Sequence, residues 1–176
     1  LEVRPTLARA RKALFDSLGA KIPGSIVLDL FAGSGALGLE SASRGAAKVY
    51  FVESEGKHRH FIEKNIEKVR KTGVKAEFKV LGGDAANFAP IALQTDLPDL
   101  IFADPPYPES AAYFTKLLND PAFLRQTAGA LLIWELPDTP GEVGKFLNHP
   151  HLAKVNLRKF GGTVFLTATV NGGAAL

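Results

Sequence analysis

A chain of 176 residues is long enough to bury one hydrophobic core, and its 46% hydrophobic and 22% charged residues are ordinary for a globular protein. The chain has no cysteine, which excludes disulfide bonds, thiolate catalysis and cysteine-based zinc sites, and its four histidines form no metal-binding motif. The net charge of +3 permits a nucleic-acid partner. Because no apolar run approaches the roughly 20 residues that span a bilayer and no signal peptide opens the chain, we expect a cytoplasmic protein.

We expect one domain over 1–176, with an N-terminal helix within 1–20 and a flexible tail at 171–176. Thr6 is expected to cap that helix and Gly19 to end it, because the apolar residues between them have helical spacing. The rest of the chain alternates between short apolar runs, which predict strands, and segments with a helical pattern. The predicted strands are 26–28, 48–52, 77–81, 99–103, 130–134, 154–159 and 163–170, and the further predicted helices are 36–44, 55–71, 85–93, 111–118 and 142–147.

This alternation predicts an α/β fold of the Rossmann-like class with a doubly wound, mostly parallel sheet. The last two predicted strands flank Gly161 and Gly162 as a hairpin, which gives seven strands with an antiparallel last strand. Such a sheet is typical of class I methyltransferases, whereas dehydrogenases with this kind of fold usually keep six parallel strands. Ligands of doubly wound sheets bind at the carboxyl ends of the strands.

A glycine-rich turn joins the first predicted strand to the next helix. Gly33, Gly35 and Gly38 follow the spacing G-x-G-x-x-G, in which the missing Cβ atoms let the backbone turn tightly and approach a ligand closely. Sites for dinucleotides and for S-adenosylmethionine both use this turn, so the pattern alone does not choose between them. The candidate cofactor-binding residues of the turn are Asp29, Phe31, Gly33, Ser34 and Gly35.

Two acids follow at the ends of the next two predicted strands. Glu53 comes 20 residues after Gly33, where a carboxylate can accept hydrogen bonds from both hydroxyls of a ribose; the alternative is a solvated acid at a strand end. Asp84 can accept a hydrogen bond from an adenine amino group, or it can cap the next predicted helix. Glu53, Asp84 and the adjacent Ala85 complete the candidate cofactor site.

The tetrapeptide Asp104-Pro105-Pro106-Tyr107 follows the fourth predicted strand and is more specific than the glycine turn. The lone pair of an exocyclic amine on a base is delocalised into the ring, so acceptors that bind this amine make its nitrogen a better nucleophile. The Asp104 carboxylate and the Pro105 carbonyl can be those acceptors, and the two prolines hold them rigidly. Tyr107 offers a flat face for a flipped base. We take these four residues as the candidate catalytic site; the alternative is a proline-rich surface turn.

The chain resembles one family, the RsmD-type 16S ribosomal RNA guanine-N2 methyltransferases, from Arg4 to Val170. The matching segments are Arg4-Pro5-Thr6, Ala13-Leu14-Phe15, Val27–Gly38, Arg44-Gly45-Ala46, Val52-Glu53, Asn65, Asp84, Asp104–Tyr107 and Gly161. The resemblance implies a bacterial enzyme that uses S-adenosylmethionine to methylate the exocyclic N2 of one guanine in 16S ribosomal RNA. By position, it assigns Gly33, Gly35, Glu53 and Asp84 to the cofactor, and Asp104 to Tyr107 to the target base.

RNA contacts are expected near the beginning of the chain. The resemblance places Arg4 and Thr6 near the pocket or the RNA, and Arg9 and Arg11 follow on the same predicted helix. Phosphate contacts favour positive charge that acids do not interrupt, which also makes the acid-free stretch 145–159 a candidate. The implied partner is the small ribosomal subunit, and we expect a monomer without a metal ion or membrane contact.

Other functions fit parts of the sequence. A methyltransferase for adenine N6 or cytosine N4 of DNA, for another RNA or for a protein amide would share most motifs, but such enzymes commonly carry Asn or Ser at the position of Asp104. A nicotinamide-dependent oxidoreductase would need an acid for hydride transfer, and Tyr113 is followed by Leu117 rather than by a lysine at the spacing Tyr-x-x-x-Lys. A non-catalytic RNA-binding module would have no use for the cofactor turn.

Overall fold

The computed structural model describes residues 5–88, 91, 93, 96–139 and 141–172, with only the backbone of 5–7. These residues form five α-helices, seven strands and two short 3₁₀ helices at Gly19–Lys21 and Val143–Phe146. The α-helices are α1 (Pro5–Leu18), α2 (Ala36–Ser43), α3 (Gly56–Arg70), α4 (Ser110–Leu118) and α5 (Pro121–Thr127). The strands are β1 (Ile26–Leu30), β2 (Lys48–Glu53), β3 (Glu77–Gly82), β4 (Leu100–Ala103), β5 (Leu131–Pro137), β6 (Leu152–Phe160) and β7 (Thr163–Val170).

The seven strands form one sheet in the order β3-β2-β1-β4-β5-β7-β6. Strands β1 to β5 are parallel, and β7 is antiparallel to both β5 and β6. The predicted fold class, a seven-stranded and mostly parallel sheet with an antiparallel last strand, is therefore confirmed. The direction of winding reverses between β1 and β4, and this reversal opens a crevice at the carboxyl ends of the two strands.

Helices cover both faces of the sheet. On one face, α1, α2 and α3 bury their apolar sides, and Phe15 of α1 contacts Phe102 of β4 with ring centroids 5.3 Å apart. On the other face, α4 and α5 pack over β5, where Phe114 stacks on Trp134 at 4.4 Å. Strand β4 is buried along its whole length. Its sequence is therefore a continuous apolar run and does not alternate between apolar and polar residues.

The helix predicted over 85–93 is not found in the described residues of that range. Asp84 instead closes a turn, in which its Oδ1 accepts a hydrogen bond from the Ala86 N–H at 2.9 Å. Asp84 therefore does have a capping contact, but the backbone that follows forms a turn and no helix.

Helix α5 was not predicted from the sequence. Asp120 caps it by accepting a hydrogen bond from the Ala122 N–H at 2.8 Å, and Pro121 occupies the first turn, where a missing N–H has no cost. The sequence Asp-Pro before an apolar segment is the signal that could have identified this helix. The predicted helix over 142–147 is a 3₁₀ helix, Val143–Phe146.

The N-terminal helix is confirmed as α1, which ends at Leu18 as the position of Gly19 predicts. The predicted cap is wrong, because Thr6 lies inside the first turn of α1. Among the residues that the structure describes, each helix is too short or too polar to cross a membrane. Within the same residues, no group of His, Asp or Glu side chains is placed to hold a metal ion.

Helix α2 packs tightly on β2 at Gly38, where an added Cβ would collide with Cε1 of Phe51 and lie 2.8 Å from Cγ1 of Val49. We expect Gly38→Ala to lower the free energy of unfolding in urea by about 1–3 kcal/mol, because both neighbours are fixed in the core. Gly144→Ala is the control, since nothing lies within 4 Å of its added Cβ. If both variants unfolded at the same urea concentration, the claim that α2 packs closely on β2 at Gly38 would be wrong.

Candidate active site

A cavity of about 440 Å³ lies at the carboxyl ends of β1, β2 and β4, in the crevice where the winding reverses. Residues from all three parts of the predicted site line it: Phe31, Gly33, Glu53, Asp84, Ala85, Asp104 and Pro106. A smaller space of about 180 Å³ shares Phe31, Gly33 and Asp104 with this cavity and is also lined by Asp29 and Ser34. The fold thus brings the candidate cofactor residues and the candidate catalytic acid to one place.

The glycine turn has an unusual backbone. Phe31, Gly33 and Gly35 all have positive φ angles, of 56°, 56° and 79°. A positive φ is uncommon for a residue with a bulky side chain, and it is often found where a functional site dictates the backbone. The Phe31 ring packs against Tyr113 at 5.3 Å and against Trp134 at 5.9 Å, and so forms an apolar wall of the cavity.

The glycines of the turn do different things. A Cβ on Gly33 would have only the Phe31 carbonyl oxygen near it, at 4.0 Å, so Gly33 leaves space open towards the cavity. A Cβ on Gly35 would lie 3.1 Å from Phe51 and 3.4 Å from Ile62, and Gly35 does not line the cavity. Gly35 therefore serves the packing of the turn against the core, whereas Gly33 lines the cavity.

Asp29 lies beneath the turn and is 1% exposed. Its Oδ2 accepts a hydrogen bond from the Gly38 N–H at 2.9 Å, which ties the start of α2 to β1. Burial raises the pKa of Asp29 to about 8, while the bond from Gly38 acts in the opposite direction and the Asp104 charge adds to the rise. The Asp29 side chain therefore supports the turn from below.

The raised pKa of Asp29 predicts a pH-dependent stability. The unfolded carboxyl has a pKa of 3.8 and the folded one of about 8, so the folded state holds an extra proton between these values. From pH 5 to 8, the free energy of unfolding of the unchanged protein should fall by about 1.4 kcal/mol per pH unit relative to that of Asp29→Asn. Above pH 8, the difference in unfolding free energy between the two proteins should stay constant. Urea denaturation of both proteins at each pH measures it. A difference that does not change from pH 5 to 8 would show that Asp29 stays ionised.

Glu53 ends β2 and faces the cavity, with its carboxylate fixed by two backbone groups. Its Oε2 accepts a hydrogen bond from the Gly33 N–H at 2.7 Å, and its Oε1 accepts one from the Glu55 N–H at 2.9 Å. A carboxylate oxygen can accept two hydrogen bonds, so each oxygen keeps one acceptor position for a ligand. Two neighbouring hydroxyl groups match that arrangement.

Asp104 follows β4 directly and lies at the edge of the cavity, with Pro105 buried behind it and Pro106 in the lining. Its Oδ2 accepts a hydrogen bond from Nη2 of Arg11 at 2.6 Å. The Arg11 side chain reaches this acid from α1, 93 residues earlier in the chain. Sequence reasoning did not anticipate this contact, because it placed Arg11 on the RNA.

Glu135 of β5 is a second acid near Asp104, and the sequence analysis missed it. It is 4% exposed, and its Oε2 has no hydrogen-bond partner among the described residues. Burial and then the Asp104 charge raise the pKa of Glu135 to about 7. A carboxylic acid in an otherwise apolar strand, Leu131–Leu136, is the sequence signal that could have identified it.

Tyr107 lies outside the cavity lining and is 45% exposed. Its hydroxyl donates a hydrogen bond of 3.4 Å to Oε1 of Glu135, and burial of that hydroxyl raises the pKa of Tyr107 to about 12. The exposed ring is available to a large flat ligand. His58 and Tyr113 do line the cavity, and no sequence pattern pointed to either of them.

The predicted RNA contacts are only partly described. Arg4 and the Thr6 side chain lie outside the described residues. Arg9 is exposed on α1, while Arg11 turns inward to Asp104. In the stretch 145–159, Lys159 is paired with Asp138 at 2.9 Å, whereas Lys154 and Arg158 are exposed on the edge strand β6.

Comparison with known proteins gives one family and named relatives. The family described as "Conserved hypothetical protein 95" matches residues 1–168. The Bacillus subtilis protein YlbH is 30% identical over 146 residues, which cover 80% of this chain and 78% of that protein. Ribosomal RNA small subunit methyltransferase D of Escherichia coli is 33% identical over 127 residues, which cover 72% of this chain and 61% of that protein.

A solved structure supports the same grouping at the level of the fold. The Escherichia coli protein yhhF superposes with a TM-score of 0.70 over 94% of this chain and 87% of that chain. The two sequences are 24% identical, so this likeness shows a shared fold. The chain spans 61% of the length of the Escherichia coli small subunit methyltransferase that it matches.

Proposed function

We propose a function for this chain on the basis of its family. The chain belongs to the family described as "Conserved hypothetical protein 95", the RsmD family. The function is S-adenosylmethionine-dependent methyl transfer to the exocyclic N2 of a guanine in 16S ribosomal RNA. The sequence predicted this family, and that prediction is confirmed. The relatives named above are described as methyltransferases of ribosomal RNA, which supports the predicted activity. One observation carries the proposal: Gly33, Glu53 and Asp104 line a single cavity.

The chain's own residues fit the proposed cofactor. Glu53 keeps one acceptor position on each carboxylate oxygen, which suits the two ribose hydroxyls of an adenosyl group. Asp84 is exposed at the end of β3, and its carboxylate retains acceptor positions for an amino group. The open space over Gly33 admits a ligand close to the backbone. The cofactor-binding residues we propose are Asp29, Phe31, Gly33, Ser34, Gly35, Glu53, Asp84 and Ala85, with Asp29 and Gly35 acting through the shape of the turn.

S-adenosylmethionine, when bound, supplies a methyl group on a positively charged sulfur, which makes it reactive without a metal ion. The chain's task is then to present the amine nitrogen. Asp104 and the Pro105 carbonyl accept hydrogen bonds from the target NH₂ group and draw its lone pair out of the ring. Tyr107, which is 45% exposed, stacks on the flipped base. Asp104 also receives the proton that the methylated amine loses.

The proposed partner is the RNA of the small ribosomal subunit. Arg9 on α1 and the exposed Lys154 and Arg158 on β6 offer positive charge to phosphates. Arg4 and Thr6 complete the proposed RNA contacts at the beginning of the chain. We further propose that the 176 residues form one domain that works as a monomer in the bacterial cytoplasm, without a metal ion or a membrane.

Nucleoside analysis tests the proposal. The protein is incubated with S-adenosylmethionine labelled in its methyl group and with 16S ribosomal RNA, free or in small subunits, from cells that lack this protein. We expect the label in N2-methylguanosine alone. Label in N6-methyladenosine, N4-methylcytidine or protein would replace the proposed substrate with another amine, and absence of label from every acceptor would refute the activity.

A further inference from the structure

We propose that Arg11 is a positioning residue, which holds the Asp104 carboxylate in the orientation that the target amine requires. This inference rests on the proposed function, because it assigns Arg11 to the same site. The sequence pattern suggested a different role for Arg11, namely a contact with RNA phosphates next to Arg9. The contacts of the two arginines separate their roles.

The ion pair between Arg11 and Asp104 is short and partly shielded from water. Nη2 of Arg11 lies 2.6 Å from Oδ2 of Asp104, and the side chains are 23% and 30% exposed. Charge-assisted hydrogen bonds of this length are among the stronger ones in proteins, and shielding from solvent preserves them. Because Arg11 binds Oδ2, it restrains the rotation of the carboxylate that lines the cavity.

Arg11 also faces several acids at once. Its positive charge acts on Asp29 from β1 and on Glu135 from β5, and it lowers the pKa of both, while Asp104 raises them. Without a cation here, an ionised Asp104 would lie beside two further acids with no positive charge to stabilise it. The guanidinium therefore keeps a carboxylate in a place where acids are crowded together.

Arg9 provides the contrast. It lies two positions earlier on α1, is exposed, and makes no ion pair among the described residues. Arg11 is only 23% exposed and is paired with Asp104, so it presents less positive charge to an RNA phosphate than Arg9 does. Arg9 and Arg11 are therefore a matched pair, since the same substitution on the same helix removes either a surface charge or the support of the candidate catalytic acid.

Kinetics of Arg11→Ala, Arg11→Lys and Arg9→Ala test the proposal under single-turnover conditions with saturating 16S ribosomal RNA. We expect Arg11→Ala to lower the methyl-transfer rate constant by about 10- to 100-fold, because a misplaced carboxylate loses its alignment. The affinities of Arg11→Ala for RNA and for S-adenosylhomocysteine should stay within about 2-fold of those of the unchanged protein. Such a change is well below a tenfold loss of affinity, which corresponds to about 1.4 kcal/mol. Arg11→Lys should recover part of the rate, since an ammonium group can still pair with Oδ2. Arg9→Ala should weaken RNA binding, which sets the size of the effect that loss of a surface charge on α1 has on affinity.

The proposal is overturned if Arg11→Ala weakens RNA binding as much as Arg9→Ala does and keeps the saturated rate of the unchanged protein. It is also overturned if Arg11→Lys and Arg11→Ala have the same rate. Urea unfolding of Arg11→Ala, Asp104→Asn and the double variant provides a readout without methyl transfer: the effects of two paired residues should not add, and additive effects would mean that the ion pair is absent. If the unchanged protein methylates no RNA, the proposed function fails, and this cycle still decides whether the pair exists.

Discussion

Asp104→Asn is expected to lower the rate of methyl transfer to RNA by about 100- to 1000-fold while the affinity for S-adenosylhomocysteine stays nearly the same. The asparagine amide has almost the shape of the carboxylate, but it carries no charge, and its NH₂ group is a donor in place of one of the two acceptor oxygens. It also cannot take up the proton that the methylated amine releases. Asp104 lies at one edge of the cavity, whereas Glu53 lies beneath the glycine turn, so cofactor binding should not depend on Asp104.

The matched control for Asp104 is Glu109→Gln. Glu109 is exposed five residues later, and its replacement removes one negative charge without touching the cavity. Rates are measured by single turnover and affinities by calorimetry with S-adenosylhomocysteine. If Asp104→Asn kept the rate of Glu109→Gln, the tetrapeptide would be a surface turn, and the site of methyl transfer would lie elsewhere.

Glu53→Ala is expected to weaken binding of S-adenosylhomocysteine by about 100-fold or more. Two hydrogen bonds from hydroxyl groups to a carboxylate are lost, and each such bond contributes about 1.5–3 kcal/mol. The change also frees the Gly33 N–H, which Glu53 now holds at 2.7 Å, so the glycine turn loses one of its anchors. The dissociation constant of Glu53→Gln should lie between those of the unchanged protein and Glu53→Ala, because the amide keeps one acceptor oxygen.

Glu55→Gln is the control for this second prediction. Glu55 lines the same cavity but is exposed, and its side chain makes no hydrogen bond among the described residues. Its replacement should leave the dissociation constant measured by calorimetry almost unchanged. If Glu53→Ala bound S-adenosylhomocysteine with an unaltered dissociation constant, Glu53 would not belong to the cofactor site. Glu53 would then be interpreted as a structural acid at a strand end.

Local sequence patterns were enough to predict most of the sheet and several of the residues that meet in one cavity. Buried parallel strands appear as apolar runs, and β1 with its glycine turn combines such a run with residues that only a tight turn requires. Parallel strands also end at the same edge, so acids that follow successive strands meet in space. For this reason Glu53 and Asp104, far apart in the sequence, could both be assigned to one cavity.

Contacts between distant elements could not be predicted in the same way. Arg11 reaches Asp104 across 93 residues, and the apolar spacing of α1 shows which side of the helix is buried but not which strand that side covers. Glu135 approaches Asp104 because β5 lies beside β4, which pairs Ala103 with Trp134. The helix expected over 85–93 failed for another reason: Asp84 and Ala86 form a local turn that a helical pattern of apolar residues does not exclude.

The central claim is that Asp104 accepts the target amine beside the reactive methyl group. A crystal structure with S-adenosylhomocysteine bound tests it most directly. The account predicts the ribose hydroxyls on Glu53, and the sulfur turned towards the Asp104 carboxylate with room for a base between Asp104 and Tyr107. A sulfur facing away from Asp104, or no space for a nucleobase next to it, would contradict the claim.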